Sequence, residues 1–370
     1  MNKLAQEYDN LLAEESEIPE PDLRSEIEKA RDEETVFNTK TKLSDVHGNE
    51  VTVPAGFKIA KDTGLTVQQG VVIEDVNAST DEEVQGSQFV WIPVGIFIKD
   101  DGTESNEIIL GRYTFDETNG TPHLEQAAYT NDNPKNYENE VSILDTEGNE
   151  HIEISEYRQG VESDGTDGEN ATAYELGKWV DSARINEGYY IGRYEASYAT
   201  GATNEDTMSD YSKCKAASKV SKTYTDSSMK YVLGTLWNNI NQIAASKVAI
   251  NTYKDSSSVK SDLMNGYAWD TAIVYIQEAG NDNYANLTHN NNIGNTGNME
   301  DEVCKINDMS CNMEEWTTEY SDKRMGMMPN YHNYPCVSRG YYYTAFRIIG
   351  RLASVDASYR DVGFRICIYM

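Results

Sequence analysis

The sequence predicts a mixed α+β protein on three observations. Short alternating runs stand early in the chain and strongly apolar strands open and close the main domain, two stretches between them carry helical periodicity, and long Gly-, Asn- and Asp-rich segments hold too few apolar residues to build a core. The early and late apolar strands are expected to share one sheet.

Residues 1–34 carry twelve acidic and four basic side chains. Leu4, Tyr8 and Leu11 fall at helical spacing, "IPEPD" breaks the pattern, and a second charged helix is expected through "LRSEIEKARDEE". With so few apolar residues, 1–35 reads as a charged helical tail or stalk that attaches the chain to a larger assembly, or as a solvated linker. Residues 36–87 change to alternating runs, "VTVPAGFKIA" and "GVVIEDVN", separated by the turn-prone "DVHGNE" and "KDTG". That pattern predicts hairpins in a small β module.

The main domain is expected from 88 to 370. It opens on the apolar strand "FVWIPVGIFI" (Phe89 to Ile98), and a polar insertion follows over about 100–187. The core resumes with the β-branched and aromatic strand "GYYIGRYEASY". Leu236, Ile240, Ile243, Ala244 and Val248 recur at three and four, as do Trp269, Ile273 and Ile276, so two one-faced helices follow. After an Asn-rich loop, "NDNYANLTHNNNIGNTGN", only short strands and long loops remain.

Composition excludes several functions. Acidic residues outnumber basic ones 62 to 31, a formal charge of −31 that repels phosphate backbones, so no nucleic acid is expected as a partner. No apolar run approaches the roughly 20 residues of a membrane span, so no membrane insertion is expected. The start is neither apolar nor basic enough for a signal peptide. The protein is therefore cytoplasmic, phage-borne, or exported by a segment not present in this chain. The five cysteines show no C-x-x-C pattern, which leaves zinc without support, and their odd number leaves at least one thiol unpaired in a monomer. Cys304, Cys311 and Cys336 are close enough in sequence for one disulfide, with the pairing open. Tyr outnumbers Phe 25 to 7, and Tyr gives rigid, amphipathic contact area. The excess suits a recognition surface, or simply solvent-facing strand positions.

Six ordered landmarks, "FVWIPVGIF", "YYIGRYEAS", "LMNGYAWDTAIVYI", "INDMSCNMEEWTTE", "SRGYYY" and "DVGFRI", resemble the formylglycine-generating enzyme (sulfatase-modifying factor) family, a branch of the C-type lectin fold. The resemblance spans roughly Gln88 to Met370. In the enzyme, two cysteines between the R-G and G-F-R motifs hold copper. Here Tyr341 to Val362 contains no Cys, and Cys336 and Cys367 fall outside the segment. Thiolate is the soft ligand that selects Cu(I), so the oxidase chemistry has no ligands.

The chain is more similar to the variable proteins of diversity-generating retroelements, which use this fold without the enzyme's chemistry. Their frame is matched by "WTTE", "PCVSRG" and "VGFR", and their variable ligand-binding region by about 320–365. The resemblance implies a diversified surface that binds a protein or cell-surface ligand, as a bacterial surface adhesin or phage receptor-binding protein. Extracellular, cell-surface or phage-particle display follows.

In that reading Tyr331, Tyr334, Tyr341, Tyr343 and Tyr359 supply buried contact area, and Arg347 and Arg360 stack or pair with acidic groups. Phe346 and Ile348 anchor, and His332, Asn333, Asp356, Ser358 and Asp361 tune hydrogen bonding. Any of them could instead be a buried strand residue; exposure is expected of the Tyr and Arg residues and a core place of Ile348, Ile349 and Leu352. No cofactor is required, although the resemblance admits calcium at Asp308 and Asn312. Cys311 and Glu314 depart from the family's G-N-V-W-E-W-like run, in which Trp316 is expected as a core anchor. Arg351 and Arg365 are expected to bond strand or loop carbonyls, and Arg339-Gly340 to turn the chain into the site. Calcium-dependent carbohydrate binding and a copper oxidase with displaced cysteines are the alternatives.

Overall fold

The computed structural model describes residues 22–116, 118–139, 141–144, 150–153, 159–161, 167–170, 176–200, 211–220, 234–286, 296–297, 301–320, 336–340, 351–353 and 358–370. In chain order their elements are α1 (Glu26–Asp32), β1 (Thr41–Ser44), β2 (Glu50–Val53), β3 (Phe57–Ile59), β4 (Val72–Asp75), β5 (Gln88–Pro93), β6 (Gly111–Phe115) and β7 (Pro122–Ala127). Next come β8 (Val141–Leu144), β9 (Glu150–Glu153), β10 (Gln159–Val161), β11 (Asp167–Asn170), α2 (Leu176–Asn186), β12 (Gly188–Gly192), β13 (Ser197–Tyr198), β14 (Ala216–Ala217) and α3 (Gln242–Thr252). The last are β15 (Lys260–Leu263), α4 (Gly266–Glu278), β16 (Glu302–Val303), β17 (Ile306–Asn307), β18 (Glu314–Tyr320), β19 (Cys336–Arg339), β20 (Arg351–Ala353), β21 (Val362–Phe364) and β22 (Ile366–Tyr369). The fold is mixed α+β, with more strand than helix.

An antiparallel sheet in the order β15-β22-β12-β5-β4-β3 forms the centre. The early strand β5 and the final strand β22 flank β12 in this one sheet, each running antiparallel to it. Alternation along β12 splits two tyrosines between the sheet's faces. Tyr189 donates to the Ala268 carbonyl of α4 at 2.7 Å and meets Trp179 of α2 edge-on at 4.9 Å. Tyr190 donates to the Thr52 carbonyl of β2 and packs edge-on against Trp91 at 5.0 Å. Gly188 leaves room for that Trp91 ring, which would lie 2.2 Å from any Cβ there.

Both helices read from periodicity are present as α3 and α4, each started by an asparagine cap. Asn241 accepts from Ala244 N, and Asn265 from Ala268 N. α3 starts later than the apolar spacing suggests. Leu236 and Ile240 lie before the cap and make isolated bridges to Ser197 and Tyr359. The strand from Phe89 is also shorter than expected: after Val94 N donates to the Glu187 carbonyl the backbone turns away at Gly95, at φ 109°.

Three expected boundaries change. Residues 36–87 are not a separate module, since β3 and β4 extend the central sheet and Phe57, Ile59 and Val72 join its core. Within 1–35, α1 is not a free tail: it packs against β3 and β1 and buries Ile27 and Ala30. Residues 1–21 lie outside the described residues. The polar stretch 100–187 is not wholly an insertion. β6 packs on α4, and α2 packs on β12 and β22 through Leu176, Trp179, Val180 and Ala183. Among the described residues, no helix is long and apolar enough to cross a membrane.

A second sheet has the order β20-β19-β18-β21. β18 is antiparallel to β19 and parallel to β21, and the β8–β9 hairpin lies beside it. If α1 is part of the core, Ile27→Ala should cost about 2 to 5 kcal/mol in denaturant unfolding. An unchanged midpoint would return α1 to the status of a tail.

Candidate functional site

β18 is buried on both faces although most of its side chains are polar. Glu314, Glu315, Trp316, Thr317, Thr318 and Glu319 are all essentially inaccessible. Burying a strand of that composition is costly unless its charges are paired, and they are, while the Thr318 hydroxyl is left without a partner among the described residues. Glu314 accepts from the Ser338 hydroxyl at 2.6 Å, and the Trp316 indole donates to the Ile240 carbonyl at 2.8 Å. Trp316 is the core anchor its position implied.

At the exit of β18, Glu319 faces two guanidinium groups. Arg112 of β6 donates to its Oε1 at 2.7 Å, and Arg339 of β19 holds both carboxylate oxygens. Arg112 also donates to Asp270 of α4 at 2.7 Å, and Arg339 Nη1 stands 3.3 Å from the other oxygen of Asp270. Two cations and two anions, all buried, thus form a neutral quartet from four elements. Burial alone would raise the Glu319 carboxyl, but Arg339 and Arg112 outweigh it and hold the group at about 2.

A second cluster has the opposite balance. Arg365, between β21 and β22, makes a two-pronged pair with Glu315 at 3.1 and 2.6 Å. It also donates to the carbonyls of Gly192 and Asn307, the strand and loop contacts expected of it. Glu195 and Asp308 lie close by, so three carboxyls share one guanidinium. Burial pushes Glu195 well up, assisted by Asp308 and Glu315, and it raises Glu315 against the pull of Arg365. The cation-to-anion ratio separates the two clusters: Glu319 is equally buried and shifts the other way.

The two calcium candidates sit beside this second cluster, both fully buried with left-handed backbone at φ 63° and 67°. Asp308 Oδ2 accepts from the Thr296 hydroxyl at 2.7 Å and from Gly297 N at 2.8 Å, while Asn312 donates its amide to Glu195. An ion here would have to replace those protein partners. Among the described residues, no three His, Cys, Asp or Glu side chains form a metal-sized group.

Ser358 and Arg360 are exposed and Asp361 is half-buried. Tyr359, expected at the surface, is half-buried, its ring 6.4 Å from that of Trp316 and its carbonyl accepting from Asn239 N. The Asp361 carbonyl accepts from Glu314 N, tying this turn to the start of β18. Tyr331, His332, Asn333, Tyr334, Tyr341, Tyr343, Phe346, Arg347, Ile348 and Asp356 lie outside the described residues. Gly340, at φ 70°, supplies the left-handed turn at the end of β19, where a Cβ would crowd the Met309 carbonyl at 3.2 Å.

All five cysteines are free thiols, including the three close in sequence. Burial raises the thiols of Cys311 and Cys367 and pushes Cys304 up to about 12, its sulfur 3.6 Å from the Asn281 amide.

Arg112, Asp270 and the pairing role of Glu319 were missed from the sequence. Their signal was a lone arginine in the short strand "GRYTF" and a lone aspartate in the apolar helix "YAWDTAIVYI". No protein-family model matches this chain, and no curated protein or solved structure shows a significant match to it.

Because the folded value of Glu319 lies below its ordinary 4.5, the stability it adds is complete above that value and is lost as pH falls toward about 2. Glu319→Gln strands a buried positive charge. It should cost about 3 to 5 kcal/mol at pH 7 and flatten the acid limb of the stability profile.

Proposed function

We propose that this chain is a non-enzymatic ligand-binding protein with a C-type lectin fold of the formylglycine-generating type. Its C-terminal surface, over about 320–365, recognises a protein or cell-surface ligand from a bacterial surface or a phage particle.

One observation carries the reading: frame and surface separate residue by residue around β18, β19 and β21. Trp316, Arg339, Gly363, Phe364 and Arg365 are buried or held by several hydrogen bonds, while Ser358 and Arg360, a few positions away, face solvent. A fixed frame with outward positions between its anchors is what a surface needs if its identities are to vary without unfolding the protein. The lack of any Cys between Tyr341 and Val362 supports binding over copper chemistry, because Cu(I) needs soft ligands.

The test immobilises the full chain and measures its capture of intact bacterial cells and of their extracted surface proteins. Tyr341→Ala/Tyr343→Ala should weaken capture by about tenfold or more with the melting temperature unchanged. A loss of folding in that variant would place the two rings in the core instead. Chelator-sensitive binding to a sugar array would favour the calcium-dependent lectin, and copper uptake with aldehyde formation on a Cys-containing peptide the oxidase. The retroelement assignment also predicts neighbouring DNA with a near-identical repeat of the 3′ coding sequence, altered only at adenines, beside a reverse transcriptase.

A further inference from the structure

We propose that Arg112, supplied by the polar stretch 100–187, is a positioning residue for the recognition surface. Through Glu319 and Asp270 it locks the ends of β18 and β19, the strands that lead into the proposed binding region. The inference rests on the reading above for its functional meaning and on the buried quartet for its geometry.

Buried polar contacts join β6 to α4. Gly111 N donates to the Thr271 hydroxyl at 3.1 Å, Tyr113 N donates to Asp270 Oδ2 at 2.9 Å, and Arg112 Nε donates to the same oxygen at 2.7 Å. Arg112 is thereby fixed on a rigid helix before it reaches Glu319. Its planar fork spans two carboxylates at once, a geometry that lysine lacks. Glu319 passes the constraint to Arg339, one residue before the left-handed Gly340. Gln242 of α3 adds a second hold by donating to the carbonyls of Thr317 and Glu319. The ends of both strands are thus set by charge pairing against helices, where a frame with variable outward residues cannot rely on those residues for its shape.

A merely structural role and a positioning role differ in a ligand-free measurement. Hydrogen exchange would be followed by mass spectrometry in the full chain carrying Arg112→Met, and in the charge-balanced pair Arg112→Met/Glu319→Gln, which leaves Arg339 facing Asp270. For Arg112→Met, exchange at residues 317–319 and 337–339 should quicken by about tenfold or more, with β12 unchanged. In the pair the melting temperature should recover while the local exchange stays fast. Exchange that rises equally in both sheets, stays at the wild-type rate, or recovers together with the melting temperature would overturn the proposal. Should Arg112→Met alone not fold, the pair carries the comparison, and failure of both to fold would assign the quartet to the core. Because no ligand enters the measurement, its result is independent of whether the proposed partner is found.

Discussion

The second sheet depends on one constraint: four buried charges that are tolerable only as a set. Transferring a single carboxylate or guanidinium out of water costs several kcal/mol even after relaxation. Arg112, Asp270, Glu319 and Arg339 offset this by facing one another, each cation reaching both anions. The four come from β6, α4, β18 and β19, so no one of these elements can shift without exposing a charge to an apolar interior. Such a set contributes less to net stability than an apolar cluster of equal volume would, but it admits far fewer arrangements. Hydrophobic contact tolerates sliding, whereas a two-pronged guanidinium pair does not.

The Arg365 cluster extends the same logic to the joint between the two sheets. Arg365 holds Glu315 of the second sheet while bonding the Gly192 carbonyl at the end of β12 in the first. Burial, with Asp308 beside it, raises Glu195 and Glu315 against a single guanidinium, whereas two guanidinium groups hold Glu319 low. Carboxyls of equal burial thus shift in opposite directions, because two guanidinium groups outweigh burial at Glu319 and one does not at Glu315. Both surround β18, the strand from which the proposed binding surface extends.

Much of this architecture was legible in the sequence, and the failures have physical causes. The spacing in "YAWDTAIVYI" gave α4, and the continuous apolar runs of β5 and β22 marked strands buried on both faces. The segment 36–87 was set apart because hairpin patterning says where strands lie and nothing about which sheet they join. α2 was hidden by its surroundings: Leu176, Trp179, Val180 and Ala183 have clean helical spacing, but acidic loop sequence before them made the whole region read as an insertion. Of the candidate site, Trp316 and Arg365 were recognisable as frame. That Tyr359 packs near the Trp316 ring was not legible, because a tyrosine's sequence context does not reveal a neighbouring indole. Arg112 was missed because charge pairing between residues 158 and 207 positions apart leaves no local pattern.

The account predicts that Glu319 is a charged member of the interior at neutral pH. The most direct measurement is its side-chain carboxyl resonance, followed by ¹³C NMR through an acid titration of the folded protein. A midpoint at about 2 is expected from its two guanidinium partners. A midpoint near the ordinary 4.5 would show that the quartet does not hold it, and that β18 and β19 are fixed by something else.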